Sequence, residues 1–372
     1  MFTEEHLYAI ALRQCRRIGD ITYHKLIQEF GSAKEAWFQL KDSKTSLEGI
    51  GPKTTADIGN ELHLKTAENE LSYCEKKAIQ ILLSTDSNYP LLLRNCDDAP
   101  AHIFYKGKFP HQKKSLSIVG TRNITSYGKT FLNQFIAALP KNVATVSGLA
   151  LGVDTEVHAL SIDYEIPTIA VLAHGFESFY PPKNKDLANR ILDSGGAIMT
   201  EFLSGQTPER EFFLQRNRIV AGLSHATIVV ETAYGGGSIS TATFANNYNR
   251  DVFALPGRIT DKFSQGCNHL IFQNKAIAIS NIKSLIEALN LETLKSKDVI
   301  PSLFPEDSLV EKLNKQEQGI YNSIKENNMI SLDELAFETN MATYILLPIL
   351  LQMELNGIVK SYSGRQFSLN NI

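Results

Sequence analysis

Between residues 115 and 280, short runs of β-branched and apolar residues alternate strictly with segments of helical length. Strands separated by helices are joined by βαβ crossovers, which make the strands parallel and cover both faces of the sheet. We therefore predict an α/β chain with an extended Rossmann-like parallel sheet as its core, although the strand order cannot be read from the sequence. The predicted strands are Ser115–Val119, Val143–Ser147, Thr168–Leu172, Ala197–Glu201, Ala226–Glu231, Asp251–Leu255 and Ala276–Ser280. The predicted helices are Tyr127–Leu139, Asp154–Tyr164, Asn184–Asp193, Glu209–Leu223 and Ser238–Asn249.

The segments on either side of this core differ from it in kind. Residues 1–85 have a helical pattern and predict a small helix-hairpin-helix or SAM-like domain, followed by the Rossmann-like core at 86–288. Residues 289–315 contain two prolines and few aromatic residues, which is typical of a linker. Residues 316–372 predict three helices and a hairpin, the outline of a winged helix.

Two glycine turns in the helical segment resemble each other, at Arg17–Leu26 and at Leu47–Ala56. The second matches the turn of helix-hairpin-helix units, in which backbone N–H groups at a helix N-terminus hold a DNA phosphate. A helical cap with glycine at its turns fits the same residues. Both interpretations stay open at this point.

The C-terminal segment is acidic, because residues 281–372 carry 8 basic and 12 acidic side chains. Its third predicted helix, Met341–Leu355, has no lysine or arginine, whereas a helix that reads the major groove needs hydrogen-bond donors. We expect this module to bind a protein partner or to regulate the core.

The charge and cysteine content limit where and how the chain acts. Its 372 residues carry a formal net charge of −3, so a nucleic acid has to be bound by a local site and not by a general positive field. The four cysteines are scattered without a CxxC pair, which is typical of a reducing compartment. With no signal-peptide pattern and no run near the ~18 apolar residues of a membrane span, we expect a cytoplasmic protein without a membrane partner.

Three turns that follow predicted strands are rich in glycine and small polar residues, at Gly120–Gly128, Ser147–Asp154 and Glu231–Ser238. Glycines let backbone amides approach a phosphate, and helix N-termini add partial positive charge. Together with Arg122 and Ser126, these turns predict an anion-binding rim at one edge of the sheet. The cations suited to follow a sugar–phosphate backbone there are Arg122, Lys183, Lys185, Arg216 and Arg218, with Phe179 or Tyr180 as a stacking face. Alternatively, Arg216 or Arg218 pairs with Glu201 or Glu231 inside the domain, and the two lysines belong to a solvated loop.

The groups available for catalysis argue against an enzyme. Asp154 is expected to be a helix N-cap, and His158 is expected to pair with it one turn later. Glu201 and Glu231 are the only carboxylates placed for acid–base chemistry. We find no histidine spacing typical of a metal site, no GxGxxG opening and no Walker loop. We therefore expect no catalytic residue, no metal and no cofactor.

An ordered series of motifs between residues 115 and 280 resembles the DNA-processing protein A family (DprA, also called Smf). The motifs are Val119-Gly-Thr-Arg122, Ser147-Gly-x-Ala-x-Gly152-Val-Asp154, Tyr180-Pro-x2-Asn184, Arg216-Asn-Arg-Ile-Val-Ala-Gly-Leu-Ser224, Val229-Val-Glu231 and Val252-Phe-Ala-Leu-Pro-Gly257. The resemblance implies a cytoplasmic, non-catalytic protein that binds single-stranded DNA independently of sequence and loads the RecA recombinase onto it in natural transformation and recombination. It also implies a homodimer through the Rossmann-like domain and displacement of single-strand-binding protein. By motif, Arg122 is the leading DNA-contact residue, and the same pocket contains Ser147, Gly148, Lys183, Asn184, Arg216, Arg218, Gly236, Gly237 and Ser238.

Two other functions stay open. The loop after the strand that ends at Glu231 resembles nucleotide phosphoribohydrolases of the lysine-decarboxylase-like group, which cleave an N-glycosidic bond. That activity requires Glu231 and an arginine to face one mononucleotide pocket, and the order around Tyr234 differs from the proline–glycine–glycine loop of those enzymes. The other alternative is a nucleotide-sensing adaptor whose acidic tail recruits partners.

Overall fold

The seven predicted strands form the parallel part of a nine-stranded sheet in the computed structural model of the chain. The structure describes residues 2–41, 50–110, 113–291, 313–327, 330–356, 358–362 and 366–369. The parallel strands are β3 (Lys114–Val119), β4 (Val143–Ser147), β5 (Thr168–Val171), β6 (Ala197–Thr200), β7 (Ala226–Val229), β8 (Asp251–Ala254) and β9 (Ile277–Ala278). Two strands that were not predicted, β1 (Gln80–Leu83) and β2 (His102–Gly107), extend the sheet in antiparallel fashion. The predicted α/β fold class is confirmed.

The strand order is β1-β2-β6-β5-β4-β3-β7-β8-β9. From β3 the chain moves outward through β4, β5 and β6, and then returns to the other side of β3 to add β7. The connections that leave β3 and β7 therefore run in opposite directions. Such a reversal opens a crevice at the carboxyl ends of the two strands, which is where sheets of this kind bind ligands.

Helices cover both faces of the sheet. They are α7 (Ser126–Ala137), α8 (Val153–Asp163), α9 (Lys185–Asp193), α10 (Arg210–Gly222), α11 (Gly237–Asn247), α12 (Gln265–Phe272) and α13 (Ile282–Ala288). Because successive strand residues point to opposite faces, neighbours enter different apolar clusters: Ile118 lies with Phe135 on one side and Val119 with Ile219 on the other.

The N-terminal helices pack on the antiparallel edge of the sheet. They are α1 (Glu4–Gln14), α2 (Asp20–Phe30), α3 (Ala33–Lys41), α4 (Pro52–Thr55) and α5 (Glu61–Lys76), and a short α6 (Leu91–Arg94) follows β1. Tyr23 and Trp37 are buried in the same apolar cluster as Ile81 of β1 and Phe104 of β2. The predicted helical domain and the core therefore share one interior.

The first glycine turn is part of this packing. Asp20, the first residue of α2, accepts hydrogen bonds from Arg13 Nε at 2.8 Å, the Ala101 amide at 3.0 Å and Arg218 Nη2 at 3.0 Å. This turn is therefore packed against the core, and its contact with a DNA phosphate stays a prediction. Residues 47–49 of the other turn lie outside the described residues.

The chain divides into two compact units, Met1–Thr293 and Leu294–Ile372. The described part of the second unit contains α14 (Lys315–Asn327), β10 (Ile330–Ser331), α15 (Leu332–Thr339), α16 (Thr343–Leu355), β11 (Val359–Tyr362) and β12 (Gln366–Leu369), with sheet order β10-β12-β11. Ser331 and Glu334 form a reciprocal capping box at the start of α15. The winged helix stays a prediction, and residues 292–312 of the predicted linker lie outside the described residues. Within the described ranges, no helix has the length and apolar content needed to cross a membrane.

Candidate nucleic-acid interface

The crevice between β3 and β7 is a cleft of about 390 Å³. Its walls are the loops that follow β3, β4 and β7, together with one face of α10. Of the residues predicted from the sequence, the cleft brings together Arg122, Gly148, Arg216, Gly236, Gly237 and Ser238. The charged residues in this lining are three arginines (Arg122, Arg210 and Arg216) and one carboxylate, Asp154. The described lining is therefore suited to an anionic ligand.

Arg122 lies beside two aromatic rings at the mouth of the cleft. Its guanidinium carbon is 5.4 Å from the centre of the Phe213 ring. The Phe213 ring in turn meets Tyr180 edge to face, with 5.6 Å between ring centres and an interplanar angle of 72°. Tyr180 is exposed and Phe213 is half-buried. A cation next to accessible aromatic rings is the combination that binds single strands without reading base edges.

Arg216 is buried where α10 meets the loop after β4. Its Nη1 donates to the carbonyl oxygen of Gly148 at 2.5 Å and to that of Val171. Burial lowers the pKa of Arg216 to about 10, a decrease that nearby Asp154 opposes. The guanidinium therefore stays charged at neutral pH, with little solvent to screen it from an anion in the cleft.

Asp154 and His158 have partners other than the predicted ones. Gly152, not Asp154, is the N-cap of α8, and the Asp154 carboxylate accepts the amides of Gly148 and Ala150, both at 3.2 Å. Burial raises the pKa of Asp154, while the charge of Arg216 opposes this. His158 Nδ1 lies 2.7 Å from Thr168 Oγ1. Asp154 shapes the β4–α8 loop, His158 contacts β5, and the two do not form the predicted pair.

The loop after β7 forms the third wall and leads into α11. Gly236 is the N-cap of this helix, and Ser238 is its second residue. The Ser238 side chain is 7% exposed, and its Oγ has no hydrogen-bond partner among the described residues. Asn217 Nδ2 of α10 donates to Gly237 O at 3.2 Å, which fixes the loop against that helix. A helix N-terminus supplies N–H donors and partial positive charge, so this wall also favours an anion.

Arg218 lies in the interior and is not part of the cleft. Its Nη2 donates to Asp20 Oδ2 at 3.0 Å and to a Glu201 carboxylate oxygen, and its Nη1 donates to the carbonyl of Asp98. Residues two positions apart in an α-helix are rotated by about 200° around the helix axis, so the Arg216 and Arg218 side chains point to opposite sides of α10. The sequence left open that this arginine pairs with Glu201 inside the domain, and that pair is observed.

Ser147 and Asn184 do not line the cleft. Both are buried; Ser147 Oγ donates to Ile118 O at 2.7 Å, and Asn184 Nδ2 donates to Leu149 O at 2.8 Å and to Thr155 Oγ1 at 2.9 Å. Both side chains thus hold the β4–α8 loop in place. The prediction that they line the pocket is corrected, because their polar atoms are occupied within the protein.

Ser126, Lys183 and Lys185 are exposed and lie outside the cleft lining. Ser126 opens α7 and lines a neighbouring depression that also contains Arg258 and Lys262. Lys183 lies within the short helical turn Pro182–Asn184, and Lys185 follows it as the first residue of α9. Their contact with DNA stays a prediction.

The two carboxylates considered for acid–base chemistry both have structural partners. Glu231 accepts the Thr125 amide at 2.8 Å and Thr125 Oγ1 at 2.5 Å, and it does not line the arginine cleft. Glu201 pairs with Arg218. Glu231 instead lines the neighbouring depression together with Arg258, so the phosphoribohydrolase alternative stays a prediction.

The sequence prediction missed five cleft residues on α10: Arg210, Phe213, Leu214, Asn217 and Val220. Arg210, Phe213 and Asn217 have i, i+3, i+7 spacing, which places them on one face of a helix that was itself predicted. That periodicity would have added them to the candidate site.

One group of side chains outside the cleft has donor atoms that could hold a metal ion. Single atoms of Cys15, Asp57 and His63 all lie within 4.8 Å of one another. His63 Nε2 is 3.0 Å from the Asp57 carboxylate, and burial raises the pKa of the Cys15 thiol to about 12. A hydrogen bond between His63 and Asp57 and a buried thiol account for this cluster.

Comparison with known proteins identifies the family of this chain. The family model described as DNA recombination-mediator protein A matches residues 80–290, which include every strand of the large sheet and all walls of the cleft. The chain belongs to this family. A second model, described as a DprA-like N-terminal HHH domain, matches residues 3–63. The N-terminal helices are thus the predicted helix-hairpin-helix domain of a DNA recombination-mediator protein.

The relatives extend over most of the chain. The Smf protein of a Synechocystis species is 29% identical over 99% of each chain, and the DNA processing protein DprA of Streptococcus pneumoniae is 37% identical over 54% of this chain and 72% of its own. The solved structure of the S. pneumoniae protein matches with a TM-score of 0.63 at 28% identity, covering 78% of this chain and 99% of that one. A structure of the Helicobacter pylori protein, reported for its unique single-stranded DNA binding mode, matches with a TM-score of 0.52 at 28% identity, covering 57% and 95%. These findings support a role in DNA processing.

Proposed function

We propose that the cleft binds single-stranded DNA without sequence preference. The observation that carries this proposal is the Arg122 guanidinium stacked on Phe213, with Tyr180 against the same ring. Phosphates would meet Arg122 and the start of α11, and bases would stack on the rings. The single-stranded DNA binding reported for the related H. pylori protein supports the same assignment.

The chain acts in this proposal as a mediator and not as an enzyme. It binds single-stranded DNA as a homodimer through its Rossmann-like domain, helps to displace single-strand-binding protein and loads RecA onto the strand in transformation and recombination. Support comes from the family membership and from Glu201 and Glu231, which have structural partners in Arg218 and Thr125 respectively.

The replacement Arg122→Ala tests the site. We expect about tenfold weaker binding of a single-stranded oligonucleotide, because a charge-assisted contact worth ~1.5–3 kcal/mol is lost. The slope of log affinity against log salt should fall by about 0.7, the value for one phosphate contact on a single strand. Fluorescence anisotropy at several salt concentrations measures both, with a duplex of equal length as reference.

Arg190→Ala is the matched control, because Arg190 is an exposed arginine of α9 that pairs with Asp163 outside the cleft. It should keep the wild-type affinity and slope. Equal salt slopes for Arg122→Ala and the wild type would remove Arg122 from the site.

The loading of RecA onto single-stranded DNA is tested separately. RecA ATP hydrolysis on a strand precoated with single-strand-binding protein should start with a shorter lag when the wild-type chain is added than when Arg122→Ala is added. A lag that the wild-type chain leaves unchanged would reject the loading role while leaving the DNA-binding site intact.

A further inference from the structure

The two faces of α16 in the second unit have opposite environments. One face enters the core of this unit through Leu346, Leu350 and Met353. The other carries large apolar side chains that are 76%, 44%, 59% and 74% exposed, respectively Tyr344, Leu347, Leu351 and Leu355.

The exposed side chains form a continuous stripe. At 100° per residue, Tyr344, Leu351 and Leu355 lie within about 20° of one line along the helix, and Leu347 flanks it. The stripe runs for three turns, about 16 Å. Contiguous exposed apolar surface of this kind marks an interaction site in soluble proteins.

The charge of α15 and α16 restricts what can cover the stripe. Residues 332–355, which include α15 and α16, carry four carboxylates and no lysine or arginine. Glu354 lies on α16 three positions after Leu351, and it accepts hydrogen bonds from the Ser361 amide at 2.9 Å and Ser361 Oγ at 2.6 Å. DNA would bring phosphates against these carboxylates, and a second copy of this face would bring four more of them.

We infer that the exposed face of α16 is a docking surface for a basic amphipathic helix of a protein partner. Such a helix matches both observations, because its apolar side chains would cover the stripe and its lysines or arginines suit a pair of helices that carry carboxylates and no cation. A stripe of three turns has the length that a second helix packs against. This inference does not depend on the DNA-binding proposal.

The test uses the full chain and a fluorescein-labelled 18-residue peptide of leucine and lysine, with leucines at i, i+3, i+4 and i+7. We expect it to bind at least about tenfold more tightly than a scrambled peptide of the same composition. The double variant Leu351→Ser/Leu355→Ser should lose at least about tenfold of that affinity, a factor that corresponds to 1.4 kcal/mol. Leu62→Ser is the matched control, because Leu62 is a 68% exposed leucine of the first unit, and it should bind as the wild type does.

Three results would overturn the inference. One is equal affinity of the wild type and the double variant for the ordered peptide, and a second is loss of duplex DNA binding in that variant. The third is sedimentation showing that the variant converts a wild-type dimer into a monomer, because a second copy would then cover the face. If the double variant does not fold, Tyr344→Ser at the other end of the stripe gives the same test.

Discussion

Two arginines of α10, only two positions apart, show how strongly the location of a charge decides its role. Arg216 lines the cleft, whereas Arg218 lies between Asp20 and Glu201. Burial lowers the pKa of Arg218, but its two carboxylate partners outweigh that effect and leave the pKa above its usual value. A buried charge with partners on three segments of the chain stabilises the fold, and it is not available to a ligand.

Arg218→Met should therefore lower the free energy of unfolding by about 3–5 kcal/mol, because it leaves buried carboxylates without a counterion. Arg122→Ala should change it by less than about 0.5 kcal/mol, since Arg122 is exposed. Urea titrations of the two variants measure the difference. Unchanged stability of Arg218→Met together with lost DNA binding would contradict the interior assignment.

At the level of elements, the β4–α8 loop lies very close to α10 at Gly148 and to the loop after β3 at Gly152. A Cβ at Gly148 would lie 2.5 Å from the Arg216 guanidinium carbon. Gly152 has φ +80°, and a Cβ there would lie 2.3 Å from the Thr121 carbonyl oxygen. The loops after β3 and β4 and the helix α10 thus form one packed unit around the cleft.

Gly148→Ala should displace the Arg216 side chain, weaken single-strand binding and destabilise the first unit by roughly 1–3 kcal/mol, as overpacking does. Anisotropy and urea titration report the two effects. The control is Gly319→Ala in α14, where a Cβ meets nothing within 4 Å and helix propensity rises. A Gly148→Ala protein that binds and unfolds like the wild type would show that the guanidinium does not need this space.

For the whole molecule, the arrangement of the apolar clusters determines which parts of the chain can fold independently. Residues of α1, α2, α3 and α5 share an interior with β1 and β2, and Asp20 is bonded to Arg218 of α10. The second unit has its own apolar cluster, which includes Ile320, Leu335 and Leu350. The predicted boundary at residue 85 therefore crosses a shared core, whereas the boundary between the compact units does not.

A chain that begins at Ile79 should aggregate or unfold, because it exposes the apolar face of β1 and β2 and leaves Arg218 without Asp20. A chain of residues 1–293 should stay monodisperse and unfold cooperatively within a few degrees of the full-length protein. Size-exclusion chromatography and thermal unfolding separate the two cases. Cooperative unfolding of the chain that begins at Ile79 would contradict the shared core.

The local sequence determined the features that depend on residues close together along the chain. Alternating apolar runs and helical segments defined the seven parallel strands and five of the helices around them, and glycine-rich turns marked all three loop walls of the cleft. The tertiary structure decided everything that depends on residues far apart. It placed β7 beside β3 and so located the crevice, it directed Arg216 and Arg218 to opposite sides, and it turned Ser147 and Asn184 inward. Strand order and side-chain partners follow from burying apolar surface and pairing buried polar atoms across the whole molecule, which no local pattern encodes.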